Sequence, residues 1–167
     1  ELSLEEFSLD DVVREVVETL SSVANEKGLG LTKEVPEGIT LFSDRRRIKQ
    51  VLMNLVGNAV KFTDQGSVKI AARVLGDNNL EVRVIDTGVG IKREDMDELF
   101  QPFHQIDASL MKKHEGTGLG LHLSKKLADL LSGDISAKSE YGRGSEFTFT
   151  IPLRHEEAKR NEENTGG

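Results

Sequence analysis

Asn54, Asn58 and Lys61 stand four and three residues apart in the run 50–63, QVLMNLVGNAVKFT. At about 100° per residue they fall on one helical stripe of roughly 60°. Beside it lies an apolar face made by Ile48, Val51, Leu52, Leu55, Ala59 and Phe62. Asparagine competes with the backbone for hydrogen bonds and is a poor helix former. Two of them at i and i+4 therefore suggest a task outside the backbone, although a solvated helix face would show the same pattern. Asp86 ends an alternating apolar run and is followed by Gly88 and Gly90. A carboxylate there can accept a hydrogen bond from an exocyclic amine, which favours adenine over guanine; a capping or turn aspartate is the competing reading. Gly116, Thr117, Gly118, Leu119 and Gly120 form a run that lets backbone approach a ligand and offers N–H groups at a helix start, as phosphate requires. A tight turn would use the same residues.

Several chemistries are excluded by what the chain lacks. Neither glycine cluster is a P-loop, and neither fits G-x-G-x-x-G, because Arg93 and Leu121 occupy the third-glycine positions. There is no cysteine, hence no disulfide, thiolate metal site or cysteine nucleophile. His104, His114, His122 and His155 show no metal-ligand spacing and read mostly as surface residues. No G-x-S-x-G elbow is present. A net charge of −7 with scattered Lys and Arg argues against a nucleic-acid partner. No apolar run reaches the roughly 18–20 residues of a membrane span.

The elements that must position these residues follow from periodicity. Ser8 to Asp11 resembles a helix N-cap with acids in the first turn, and Leu9, Val12, Val13, Val16, Val17, Leu20 and Val23 continue at helical spacing to a stop at Lys27 and Gly28. Two short strands, around Leu31 and around Leu41, precede the Asn54 helix, whose N-cap is expected at Ser43–Asp44. The triplet Arg45, Arg46 and Arg47 then reads as a solvated first turn. Alternating runs 68–74 and 80–84 form a hairpin across Gly76 to Asn79. A short helix is expected over 93–100, a long loop over 101–116, a helix over 121–131, and a last hairpin from Ile135 to Ile151 through Gly142–Arg143–Gly144. With 37% hydrophobic residues the chain fits one domain, 1–153. The charged remainder, 154–167, has little to bury and is expected to be disordered. A first residue of Glu rather than Met suggests a piece of a longer or processed protein. The pattern gives an α/β (α+β) two-layer sandwich: a mixed, mostly antiparallel sheet with helices on one face.

In this order and spacing, the motifs resemble the catalytic ATP-binding domain of sensor histidine kinases, within the GHKL ATPase superfamily. Asn54-Leu-Val-Gly-Asn58-Ala-Val-Lys61-Phe62 is similar to the N box, Asp86-Thr-Gly88-Val-Gly90-Ile91 to the G1 box, Phe100-Gln-Pro-Phe103 to the F box, and Gly116-Thr-Gly118-Leu-Gly120-Leu121 to the G2 box. The resemblance covers residues 7–153 and implies the Bergerat fold. It further implies that Asn58 coordinates Mg²⁺, with Asn54 beside it, and that Lys61 pairs with phosphate. Phe62 would pack near adenine, Asp86 would hold its amino group, and Gly88, Gly90 and Ile91 would shape the base pocket. Gly116, Thr117, Gly118, Leu119, Gly120 and Leu121 would wrap the triphosphate. Phe103, Gln105, Lys112, Lys113 and His114 are the lid-side candidates.

The phosphoacceptor helix of a complete sensor kinase is not recognisable here, since His114–Glu115 and His155–Glu156 lie outside such a context. The resemblance therefore implies that ATP and Mg²⁺ are presented to a histidine on a phosphoacceptor and dimerisation domain, with a response regulator receiver domain downstream, on the cytoplasmic side and without direct membrane contact. Two alternatives stand beside it. Topoisomerase, mismatch-repair and chaperone relatives usually carry Glu at the Asn54 position, where it activates water, so Asn54 favours transfer over hydrolysis. A non-catalytic nucleotide-binding module of a degenerate sensor would be expected to have eroded motifs, and these are intact.

Overall fold

The computed structural model describes residues 1–101 and 117–155. Strand β1 (Glu5–Ser8) leads into helix α1 (Leu9–Glu26), followed by β2 (Gly30–Glu34), β3 (Thr40–Ser43) and helix α2 (Arg45–Phe62). The hairpin β4 (Ser67–Leu75) and β5 (Asn79–Asp86) precedes a single helical turn, α3 (Arg93–Met96). Helix α4 (Thr117–Leu130) and the hairpin β6 (Asp134–Glu140) and β7 (Gly144–Pro152) complete the described chain. Five strands form one sheet in the order β2-β4-β5-β7-β6, and β1 and β3 form a separate antiparallel pair. Only β2 and β4 run parallel within the larger sheet. The architecture is the expected mixed sheet with helices on one face.

That layering follows from strand alternation. Val68 and Ile70 of β4, Leu80, Val82 and Val84 of β5, and Phe147, Phe149 and Ile151 of β7 are all buried and form the inner face. The outer face carries Arg73, Glu81, Arg83 and Glu146, joined by ion pairs of 2.9 Å between Arg73 and Glu81 and between Arg83 and Glu146. Against the inner face α2 presents Ile48, Val51, Leu52, Leu55, Val56, Ala59 and Val60, every one of them buried. Asp44 caps α2 by accepting from the Arg47 backbone N–H at 3.1 Å. The arginines at its start are only partly solvated, because Arg45 reaches Glu15 of α1 at 2.7 Å and Arg47 pairs with Asp44 at 3.1 Å. Ser8 occupies the N-cap position of α1 but makes no side-chain cap bond; the Leu9 N–H donates instead to the Ile39 carbonyl at 3.0 Å.

Three differences from the sequence expectations have physical causes. Helix α4 begins at Thr117 rather than Leu121, so Gly118 and Gly120 lie inside its first turns. Glycine costs a helix about 1 kcal/mol per residue, and the buried Leu121, Ser124, Ala128 and neighbouring Leu131 offset this by packing into the core. Arg154 and His155, expected in a disordered tail, are docked: Arg154 forms a parallel bridge with Phe42, and the His155 N–H donates to the Phe42 carbonyl at 2.9 Å. His155 is thereby buried rather than on the surface. The expected loop 101–116 lies outside the described residues except for Gln101.

Candidate functional site

A narrow cleft opens where α2, the end of β5, α4 and β7 meet. Asn58 and Phe62 come from α2, Asp86 and Ile91 from β5 and the loop after it, Leu121 from α4 and Phe147 from β7. Its mainly apolar lining with a few convergent polar groups, Asn58, Asp86 and Ser145, suits a small organic ligand. Asp86 is 7% exposed, because the alternation that buries Leu80, Val82 and Val84 carries it onto the same face. Burial pushes its carboxyl above the ordinary range, and the backbone N–H groups of Gly88 and Ser145 pull part of that shift back. The Gly88 bond to Asp86 Oδ1 is 2.8 Å. A carboxylate has about four acceptor positions, so it retains capacity toward the cleft.

The glycines around Asp86 are constrained by neighbouring backbone. A Cβ on Gly88 would lie 2.5 Å from the Phe62 carbonyl oxygen, and one on Gly90, at φ +74°, would lie 2.3 Å from that of Glu140. The loop after β5 is thus clamped between the end of α2 and the β6–β7 turn, and the Gly142 N–H donates to Val89 O at 2.6 Å. The glycines act here by close packing more than by emptying the pocket. Gly144, at φ +138°, has the same constraint: a Cβ would sit 2.1 Å from the Asp86 carbonyl oxygen.

The polar stripe of α2 divides on folding. Asn58 faces the cleft, and its Nδ2 is buried without a partner among the described residues. Asn54 turns toward α4, where its Nδ2 donates to Ser124 Oγ at 3.0 Å. Lys61 is exposed in the last turn. Carboxamide oxygens are hard, neutral donors, and no group of three or more His, Cys, Asp or Glu that could hold a metal occurs among the described residues. Two amides one turn apart fit Mg²⁺, which accepts few protein ligands and completes its shell with phosphate oxygens and water.

Other expected residues are placed less directly. Leu121 is buried in the cleft wall, while Gly120 faces open space and Thr117, Gly118 and Leu119 belong to the first turn of α4. Phe103, Gln105, Lys112, Lys113, His114 and Gly116 lie outside the described residues. From the preceding motif, Phe100 meets Phe147 edge to face, with centroids 6.4 Å apart, and its carbonyl is 3.1 Å from His122 Nδ1.

The family profile described as histidine kinase-, DNA gyrase B- and HSP90-like ATPase matches residues 43–155. The chain belongs to that family. It is 43% identical over 155 residues to the signal transduction histidine-protein kinase BarA of Escherichia coli K12, covering 88% of this chain and 17% of that protein. Among solved structures, full-length ShkA in complex with AMPPNP superposes with a TM-score of 0.82 at 34% identity, over 91% of this chain and 31% of that one. The catalytic domain of histidine kinase ThkA gives 0.79 at 31% identity, over 91% and 97% respectively. ThkA in complex with the response regulator TrrA gives 0.75 at 30%, over 91% and 42%. The chain therefore spans nearly all of a catalytic domain and about a sixth of BarA.

Within this histidine-kinase catalytic fold, several residues lining the cleft or packed beside it escaped the sequence reading, Leu99 among them. Ser145 and Phe147 reach the cleft because β7 pairs with β5, placing Ser145 opposite Asp86 and Phe147 opposite Val84. No local signal announces that long-range register. Thr63 is fully buried, and its Oγ1 has no partner among the described residues. Gly144 was legible only as a turn glycine.

Proposed function

We propose that this domain binds Mg²⁺-ATP in the cleft and presents the γ-phosphoryl group to a histidine on a phosphoacceptor domain. The observation that carries this reading is a desolvated carboxylate, Asp86, lining the same cleft as Asn58, whose Nδ2 has no partner among the described residues. Asp86 accepts from the adenine amino group, Phe62, Ile91 and Leu121 enclose the base, and Asn58, with Asn54 beside it, faces the metal. Lys61 meets phosphate oxygens, and the backbone around Gly116, Gly118 and Gly120 donates N–H groups to the triphosphate. Gln105, Lys113 and Phe103 are assigned to the lid side. Bound Mg²⁺ would supply charge neutralisation at the phosphates. The protein's share of phosphoryl transfer is then positioning and electrostatic stabilisation. Asn54 offers no basic carboxylate to activate water, which favours transfer over hydrolysis.

The expected setting is a two-component pathway in the cytoplasm or on the cytoplasmic side of a membrane-bound sensor, with a response regulator receiver domain as the later acceptor. Among the described residues no helix is long and apolar enough to cross a membrane. Calorimetry with ATP and GTP, each with and without Mg²⁺, tests the site: Mg²⁺-dependent binding with a clear preference for ATP is expected, and equal affinities would sink the base assignment. γ-Labelled ATP tests the transfer. The chain alone should stay unlabelled, an added cognate phosphoacceptor domain should acquire acid-labile label, and acid-stable label on Ser or Thr would point to another kinase class.

A further inference from the structure

We propose that Ser124 is a positioning residue that sets the orientation of the Asn54 amide and couples helix α4 to the metal-facing stripe of α2. Ser124 is fully buried, and its hydroxyl receives the Asn54 Nδ2 donor across 70 residues of sequence, at 3.0 Å. A serine within a helix generally bonds its own backbone or solvent; this one faces a neighbouring helix and meets the donor end of a carboxamide. Because the oxygen and nitrogen of an amide point apart, fixing Nδ2 on α4 fixes Oδ1 away from it. The acceptor end of Asn54 is then the end available to a cation shared with Asn58, one turn further along α2. The inference rests on the reading of Asn54 and Asn58 as the cation-facing pair.

The coupling has a direction along the chain. Ser124 lies seven residues, about two helical turns, after Thr117. Gly118 and Gly120, in the first turns of α4, and the Asn54 amide are therefore joined through one helix and one hydrogen bond. A displacement of α4 moves the Asn54 contact together with Leu121 in the cleft wall.

A double-mutant cycle on the 167-residue chain tests this, with Ser124→Ala, Asn54→Ala and the pair. ATP affinity is measured by calorimetry in excess Mg²⁺ and again with chelator, alongside melting temperature and the NMR signals of the Asn54 side-chain amide. Loss of one buried hydrogen bond predicts an approximately fivefold weaker Mg²⁺-ATP affinity for Ser124→Ala. Chelator-condition affinity should stay within about twofold, and the Asn54 amide signals should move toward those of a solvated amide. In the Asn54→Ala background the serine substitution should add nothing, and Ser124→Thr, which keeps the hydroxyl, should retain most of the affinity. Equal losses with and without Mg²⁺, or additive effects of the two substitutions, would overturn the proposal and leave Ser124 as packing. A parent chain whose ATP binding ignores Mg²⁺ would overturn the cation reading itself, and this inference with it.

Discussion

The two ends of the cleft are built differently. At the end proposed to take the base, Asp86 is hydrogen-bonded to Gly88, and Gly88, Gly90 and Gly144 are each packed closely against other backbone. At the end proposed to take the phosphates, Asn58 Nδ2 is buried without a partner among the described residues, and Lys61 is exposed. At one end the polar groups have partners; the other holds a donor with no partner among the described residues. Preformed donors and acceptors lose little on ordering, whereas an orphaned buried amide costs about 1–3 kcal/mol until it is satisfied. On the proposed reading, base selection belongs to the folded chain, while the Asn58 Nδ2 donor awaits an acceptor such as a phosphate oxygen.

The largest test of this contrast is Gly144→Ala. The new methyl would meet the Asp86 carbonyl at 2.1 Å, at a φ of +138° that an L side chain rarely adopts. Backbone must shift on both strands, so a destabilisation of about 3 kcal/mol or more is expected, with loss of ATP and adenosine binding together. Chemical denaturation would measure it. Adenosine binding that survived unchanged would mean that the base end is not rigid.

Asp86→Asn separates binding from stability. ATP affinity should fall by roughly tenfold to a hundredfold, because the replacement amide presents a donor where a charged acceptor stood. Melting temperature at neutral pH should rise. The folded pKa of Asp86 is raised by burial above 3.8. Its contribution to stability is therefore fully present below pH 3.8 and is lost as pH climbs through the raised folded value. At pH 7 the ionised parent carries that cost and the neutral variant does not. The gap between the two should close as the solution is acidified toward pH 4, and a gap independent of pH would contradict burial as the cause.

Asn58→Ala acts at the opposite end. Mg²⁺-dependent ATP affinity should drop about tenfold while the preference for adenine over guanine persists. Because the substitution removes an unpartnered buried donor, stability should hold or rise. A calorimetric affinity that did not change would remove Asn58 from the metal side.

These ends also differed in how far they could be read from sequence. The α2 stripe was visible because helical periodicity is local, and Asp86 because strand alternation is local. The division of the stripe was not visible. Asn54, Asn58 and Lys61 share a face of an isolated helix, and only the packing of α4 against α2 sends Asn54 to Ser124 and leaves Asn58 in the cleft. Ser145 and Phe147 depended on the pairing of β5 with β7, strands separated by more than fifty residues in sequence. The docking of Arg154 and His155 on Phe42 was hidden because a charged composition predicts solvation, while backbone pairing ignores side-chain charge.

The smallest effect should come from Lys61→Gln, and it discriminates between two kinds of phosphate contact. An exposed ammonium interacts with phosphate through solvent-screened Coulomb attraction, worth at most about 1 kcal/mol per pair, so affinity should fall only about threefold to fivefold in dilute buffer. Raising salt to about 1 M shortens the screening length to about 3 Å, and the difference between parent and variant should then nearly vanish. Base preference should not move, since Lys61 is not among the residues lining the cleft with Asp86. A loss tenfold or larger that persisted in high salt would mean that the ammonium becomes desolvated when nucleotide binds. The phosphate end would then close over its ligand to a degree that the exposed position of Lys61 in the free protein does not require.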